Sequence, residues 1–145
     1  MDFLTRLIHA LTEVHPLHTL IVHFPIALTA SAFFFVLLAL WRRKDVLEQV
    51  AFANISLAAI STVAAAFTGM RDNLAFYDGG APNANVKMIL ATILFLVTTI
   101  TAVARWRNTN LFHTTFKWLY VTAYFVSFAL AAVLGFLGGV ILYGF

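Results

Sequence analysis

Three histidines stand close together at the start of an apolar segment, in the stretch EVHPLHTLIVHFPIAL of residues 13–28. They are His15, His18 and His23. Imidazole is a ligand for zinc, copper and iron ions and for haem iron, and an ionisable side chain at membrane depth indicates a functional site. The stretch therefore predicts a cofactor or metal site near one end of a membrane helix.

One hypothesis is a non-haem metal site, because three histidines with one carboxylate are an adequate donor set for a Zn, Cu or Fe ion. Asp72, in the segment TGMRD, is the carboxylate that we expect on the same side of the membrane. On an unbroken helix, His18 and His23 lie about 140° apart. We expect a kink at Pro25 and a turn at His15 to narrow this arc.

The other cofactor hypothesis is haem b, which suits histidines inside a helix bundle. Haem usually takes axial ligands from two helices and places its propionates near basic groups. We expect His18 and His23 as ligands, and Arg71 and Lys87 beside the propionates. His15 and Asp72 are expected either as alternative ligands or as residues that orient the ligands. The opposite axial ligand stays open between His9, Met70, Met88 and a histidine of a second copy. In a third, structural hypothesis, the histidines only join helices in an assembly subunit.

The elements that must position these residues are membrane helices, since 62% of the 145 residues are hydrophobic and 10% are charged. We predict an all-α, polytopic four-helix bundle that forms a single membrane domain over residues 1–145. A short amphipathic helix over about 2–13 lies at the membrane interface, and the spans cover about 17–41, 50–70, 86–106 and 116–143. The absence of cysteine excludes disulfides, thiolate sites and covalent c-type haem.

The basic residues predict the orientation, because they concentrate in cytoplasmic connections. The first connection contains WRRK, residues 41–44, and the third contains ARWRNTNLFHTTFK, residues 104–117. We therefore expect both termini on the periplasmic side of a bacterial inner membrane, with the lipid bilayer as the main partner. The net charge of +3 is explained by this orientation, so we expect no nucleic-acid partner.

The segments HPLHTLIVHFPIAL, TGMRD and GFLGGVILY occur in this order along the chain. Together they resemble a bacterial family of predicted four-helix membrane proteins, domain of unknown function family 2231. Members are sometimes fused to Rieske or cytochrome c modules, so the resemblance implies electron transfer, with a redox partner of the Rieske or cytochrome c type. In the family, His15, His18, His23 and Asp72 match the polar signature. Many members continue after the last tyrosine with a histidine-glycine segment, where this chain has Gly144 and Phe145.

The leading hypothesis is a b-type haem-binding electron-transfer protein with its site near the outer face. The alternatives are a non-haem metal-binding or transport protein and a structural subunit. The sequence has no phosphate-binding loop, no nucleophile elbow and no carboxylate pair for acid–base chemistry. It therefore favours a redox or binding protein over an enzyme, and a homodimer is an open option.

Overall fold

The computed structural model describes residues 2–5 and 17–143, with side chains as far as Gly139. In these ranges the α-helices after residue 5 are α1 (Leu17–Ile21), α2 (His23–Arg42), α3 (Asp45–Tyr77), α4 (Ala84–Arg107) and α5 (Lys117–Tyr143). A short 3₁₀ helix, Leu111–His113, precedes α5. Residues 3–5 are helical. The rest of the predicted interfacial helix over 2–13 lies outside the described residues, as does His15.

Helices α1 and α2 form one span, Leu17–Arg42, with an interruption at Val22. Val22 keeps right-handed helical angles, φ −63° and ψ −21°, and its N–H donates to the His18 carbonyl at 2.9 Å. The interruption lies within one turn before Pro25, whose ring nitrogen has no hydrogen to donate to the Ile21 carbonyl. The helical ladder is therefore weakest where the sequence predicts the kink.

Helix α3 extends beyond the predicted span 50–70 at both ends, because the segment RDNLAFY continues the helix instead of opening a loop. The helix ends where Asp78 adopts left-handed angles and Gly79 N–H donates to the Asn73 carbonyl at 3.0 Å. The connection to α4 is thus only residues 78–83. A short connection holds the end of α3, with Asp72, beside the start of α4, with Lys87.

The four long helices α2 to α5 pack as a ring, in which each contacts the next along the chain and α5 closes against α2. All four are long and apolar enough to cross a membrane. The described part of the chain contains no strand, so the all-α prediction is confirmed. Alanines at the helix contacts, such as Ala51 and Ala58 of α3, are fully buried and allow close packing.

The bundle has two chemically different ends. The end formed by α1, the last turns of α3 and the start of α4 is called the histidine end. The opposite end, with residues 42–45 and 107–117, is called the basic end. Trp41, Trp106 and Trp118 are 74%, 76% and 65% exposed, and all three lie at the basic end. This placement agrees with an aromatic belt at one membrane interface.

The glycines of GFLGG differ in how closely a neighbouring helix packs against them. Gly135 packs against α2, since an added Cβ would lie 2.9 Å from Ile26 Cδ1. Gly138 and Gly139 face open space within the described part of the chain. Gly138 and Gly139 therefore make no close helix contact within the described residues.

Candidate functional site

His18 is the centre of the polar cluster at the histidine end. Its Nδ1 lies 2.9 Å from the Ala65 carbonyl oxygen and 3.4 Å from Thr68 Oγ1, both on α3. A carbonyl oxygen only accepts, so Nδ1 carries the proton and donates it to Ala65. In the neutral ring Nε2 then carries a lone pair, and no hydrogen bond to it is made within the described residues.

The His18 residue is half-buried at the histidine end. An imidazole whose Nδ1–H is fixed by a carbonyl, with Nε2 free, is the arrangement that proteins use to orient a histidine ligand.

Gly69 and Asp72 hold His18 from the same face of α3. A Cβ on Gly69 would lie 3.0 Å from Cε1 and 3.1 Å from Nδ1 of His18, so the ring packs directly against the glycine. Asp72 Oδ2 accepts the His18 backbone N–H at 2.7 Å. This N–H belongs to the first turn of α1 and has no acceptor in its own helix. Asp72 thus acts as a cap supplied by another helix, favoured by the helix dipole.

Two cations complete the cluster. Arg71 Nη1 donates to Asp72 Oδ1 at 3.0 Å, with the arginine side chain 40% exposed and the aspartate side chain 6% exposed. Lys87, in the first turn of α4, lies at the same end of the bundle and makes no hydrogen bond to His18 within the described residues. The structure therefore joins His18, Asp72 and Arg71 through direct hydrogen bonds, with Lys87 at the same end of the bundle.

His23 does not join this cluster. Its side chain is exposed on the outer surface of α2, and it makes no hydrogen bond within the described part of the chain. His18 faces α3, and a residue five positions further along a helix points about 140° away. The interruption at Val22 does not turn the ring back, because Val22 itself is helical. The structure therefore does not bring His23 together with His18, and the role of His23 as a ligand stays a prediction.

The same geometry bears on the predicted metal set. In the ranges 2–5 and 17–143, no three His, Asp or Glu side chains are grouped as ligands for an ion. Both oxygens of Asp72 are already engaged, one by Arg71 and one by the His18 N–H. Met70 and Met88, considered as axial ligands, are 59% and 53% exposed on the outer surfaces of their helices. Of the predicted ligands that contact one another in the described residues, His18 alone keeps a donor atom, Nε2, without a hydrogen bond.

A second polar cluster, at the basic end, was not predicted. Glu48 of α3 accepts from Arg105 of α4 in a bidentate pair, Nε to Oε1 at 2.7 Å and Nη2 to Oε2 at 2.8 Å. Tyr120 of α5 also donates to Glu48 Oε1, at 2.7 Å. The Tyr120 and Tyr124 hydroxyls are 2.6 Å apart. Since the Tyr120 proton is used on Glu48, Tyr124 is the donor between the two tyrosines.

The sequence contains a signal for this cluster in the positions of its charged and tyrosine residues. Arg105 belongs to the basic segment 104–117 that predicts the orientation, and Glu48 lies just before the second predicted span. Their opposite signs at the same end of adjacent helices, with tyrosines at i and i+4 on the next helix, would have indicated a buried pair. His113, by contrast, lies in an exposed pair with Asp45 at 3.0 Å.

Comparison with known proteins gives a family and no closer relative. A family described as Predicted membrane protein (DUF2231) matches residues 14–145. No curated protein and no solved structure matches the chain. The family match includes the histidine stretch, the TGMRD segment and all four long helices. The chain therefore belongs to the DUF2231 family of predicted membrane proteins.

Proposed function

We propose that this membrane protein binds a b-type haem at the histidine end, with His18 Nε2 as an axial ligand, and takes part in electron transfer. The observation that supports this proposal is the hydrogen bond from His18 Nδ1 to the Ala65 carbonyl. It leaves Nε2 deprotonated and without a hydrogen bond from the described residues, which is the state that an iron ligand requires.

The residues around His18 fix the position of its ring and backbone and add positive charge to the site. Gly69 allows the ring to lie against α3, and Asp72 fixes the backbone of His18. Lys87 and Arg71 add positive charge at the histidine end, where it would balance propionate groups. When bound, haem supplies reversible one-electron transfer, and its potential depends on axial ligands and burial.

A non-haem metal site is less well supported by the same residues. His23 points away from His18, and Asp72 would have to give up a helix cap or an arginine to bind an ion. Breaking such charge-assisted hydrogen bonds costs roughly 1.5–3 kcal/mol each. A single imidazole is a weak site for zinc or copper without further ligands.

A structural function is the second candidate, because the contacts of His18 also explain the two segments without a cofactor. His18 joins α1 to α3 through Ala65, Gly69 and Asp72. In this case the imidazole joins two helices in an assembly subunit. This function predicts a colourless protein that is stable without haem and becomes less stable when His18 is replaced.

Optical spectra separate these functions. The protein is purified in detergent, titrated with haemin, and measured oxidised and after dithionite. We expect a Soret band that shifts on reduction in the wild type and in His113→Ala, and no such band in His18→Ala. His113→Ala is the matched control, since it removes an exposed histidine at the basic end. Far-UV circular dichroism verifies that His18→Ala remains helical.

The other results have definite meanings. A colourless wild type that carries stoichiometric zinc or copper supports the metal site. A colourless, metal-free wild type that binds no haemin refutes the haem proposal and leaves the structural function. A Soret band that His18→Ala retains unchanged refutes the assignment of the ligand.

We further propose that the histidine end faces the periplasm and the basic end faces the cytoplasm of a bacterial inner membrane. Support comes from the cations in residues 42–44 and 105–117 and from the tryptophans at the same end. A redox partner of the Rieske or cytochrome c type would then meet the protein on the periplasmic side. His18 lies near that surface, in reach of such a partner.

A further inference from the structure

The basic end carries more exposed cations than its acidic residues can pair. These cations are called the cationic surface, which consists of Arg42, Arg43, Lys44, Arg107 and Lys117. Within residues 17–143, none of the five makes an ion pair. The two acids at this end are engaged by other residues, Glu48 by Arg105 and Asp45 by His113. The cationic surface therefore keeps a net positive charge that the protein itself does not neutralise.

Two contacts hold the parts of the cationic surface at one end of the bundle. His113 Nε2 lies 3.0 Å from Asp45 Oδ1, which joins the connection before α5 to the first residue of α3. Phe112, the neighbour of His113, is 6% exposed and belongs to the buried core together with Ala39 and Tyr120. Both connections are thus fixed to the same helix ends, so their cations act on one region of the membrane surface.

Tryptophans fix the depth of the cationic surface in the bilayer. Each of the three tryptophans is next to a cation in the sequence, and two of the pairs are in contact. Arg42 Cζ lies 4.6 Å from the centre of the Trp41 ring, and Lys117 Nζ lies 5.2 Å from that of Trp118. Exposed tryptophans lie at the headgroup level of a membrane. Cations that contact them are therefore at the level of the lipid phosphates, and the contact with a ring does not cancel their charge.

We propose that the cationic surface binds the headgroups of anionic phospholipids. Guanidinium and ammonium groups are strong donors to phosphate, and the net positive charge is complementary to a headgroup that carries only negative charge. A zwitterionic headgroup brings its own ammonium group, which the cations repel. An acidic protein partner is less favoured, because cations at the ring level of interfacial tryptophans lie at the bilayer surface instead of projecting into water.

The opposite end of the bundle lacks this excess of positive charge within residues 17–143. There Arg71 donates to Asp72, and Asp78 lies at the same end as Lys87. The preference for anionic lipid is therefore expected at one end only. It is independent of the haem proposal, since His18 belongs to the other end and contacts none of the five cations.

Tryptophan fluorescence tests the proposal, because all three tryptophans of the chain lie at the basic end. The protein is reconstituted in mixed vesicles of phosphatidylglycerol and phosphatidylcholine, in which one lipid or the other carries brominated chains that quench tryptophan. At equal mole fraction, brominated phosphatidylglycerol is expected to quench more strongly. A cation near an anionic surface corresponds to a preference of about fivefold. Because the attraction is Coulombic, the preference is expected to fall when the salt is raised from about 0.1 M to about 1 M.

Charge variants identify the residues responsible. The triple variant Arg42→Gln, Arg43→Gln, Lys44→Gln is expected to lower the preference at least about twofold, since Arg107 and Lys117 remain. The double variant Arg42→Lys, Arg43→Lys keeps both charges and is the matched control, with an expected preference close to that of the wild type. Far-UV circular dichroism verifies that both variants remain helical.

The contrary results are equally defined. Equal quenching by the two brominated lipids in the wild type would overturn the lipid site and leave the cations for an acidic protein partner. A preference that high salt does not reduce would overturn its electrostatic origin, whether or not the variants fold. A preference that the triple variant retains in full would overturn the assignment to residues 42–44. None of these results depends on haem.

Discussion

The buried ion pair at the basic end makes a quantitative prediction about stability. Glu48 is 2% exposed and Arg105 is 9% exposed, and each is the main partner of the other. Glu48→Gln keeps the shape of the side chain but leaves the guanidinium charge buried without a counter-charge. Removing one partner of such a pair costs about 3–5 kcal/mol, so we expect the free energy of unfolding to fall by that amount.

Asp45, on the same helix as Glu48, forms an exposed pair with His113 that is the control for this prediction. Asp45 and His113 are 66% and 60% exposed, and the pair is open to solvent. Exposed pairs contribute about 0–1 kcal/mol, so Asp45→Asn is expected to change the free energy of unfolding by no more than about 1 kcal/mol. Both variants are measured by SDS-induced unfolding in mixed micelles, followed by far-UV circular dichroism and tryptophan fluorescence.

A double variant identifies the cause of the loss. Glu48→Gln with Arg105→Gln removes both charges, so the penalty of an unpaired buried charge disappears. Its loss of stability is expected to be smaller than the sum of the single variants by about 1–3 kcal/mol. Equal effects of Glu48→Gln and Asp45→Asn would refute the reasoning, and so would additive single variants.

Three further outcomes are expected. Gly69→Ala pushes its Cβ against the His18 ring and should destabilise the protein by about 1–2 kcal/mol in SDS unfolding. Gly138→Ala faces open space and should be neutral or stabilising by up to about 1 kcal/mol. Equal effects of the two variants would contradict the packing described. Tyr120→Phe removes a donor to a carboxylate and should cost about 1.5–3 kcal/mol, while Tyr124→Phe should cost about 0.5–1.5 kcal/mol by the same measurement; the reverse order would refute the assigned donors. A reporter enzyme fused after Phe145 should be active when it requires the periplasm, and activity of a cytoplasmic reporter instead would reverse the orientation.

The sequence was informative about the bundle because apolar composition and length largely determine which segments cross a membrane. Four long apolar helices and an all-α fold follow from that composition. Helix ends were harder to predict. The segment RDNLAFY is polar enough to read as a loop, yet it continues α3 for about two turns beyond the apolar stretch. Hydropathy marks the hydrocarbon boundary, while backbone hydrogen bonds decide where the helix stops.

The candidate site was predicted in part for a related reason. His18, Asp72, Arg71 and Lys87 were expected on one side of the membrane, and all four lie at the histidine end, because topology alone fixes the end of the bundle; His18 and Arg71 both contact Asp72. The direction in which His23 points depends on helix phase, and the expected kink at Pro25 concealed that phase. The spacing of five residues between His18 and His23 predicts that they point in different directions, since it separates two side chains by about 140° on a regular helix.

The bond between His18 and Asp72 also constrains how the protein is made. The two residues are 54 positions apart, and the acceptor of the first-turn amide of α1 is supplied by the C-terminal part of α3. At roughly 5–20 residues per second, synthesis reaches Asp72 about 3 to 11 s after His18. During that time the amino-terminal turn of the first span lacks its cap. The imidazole can therefore take its final position only after the second span has been inserted, so the His18 side chain is positioned well after its own synthesis.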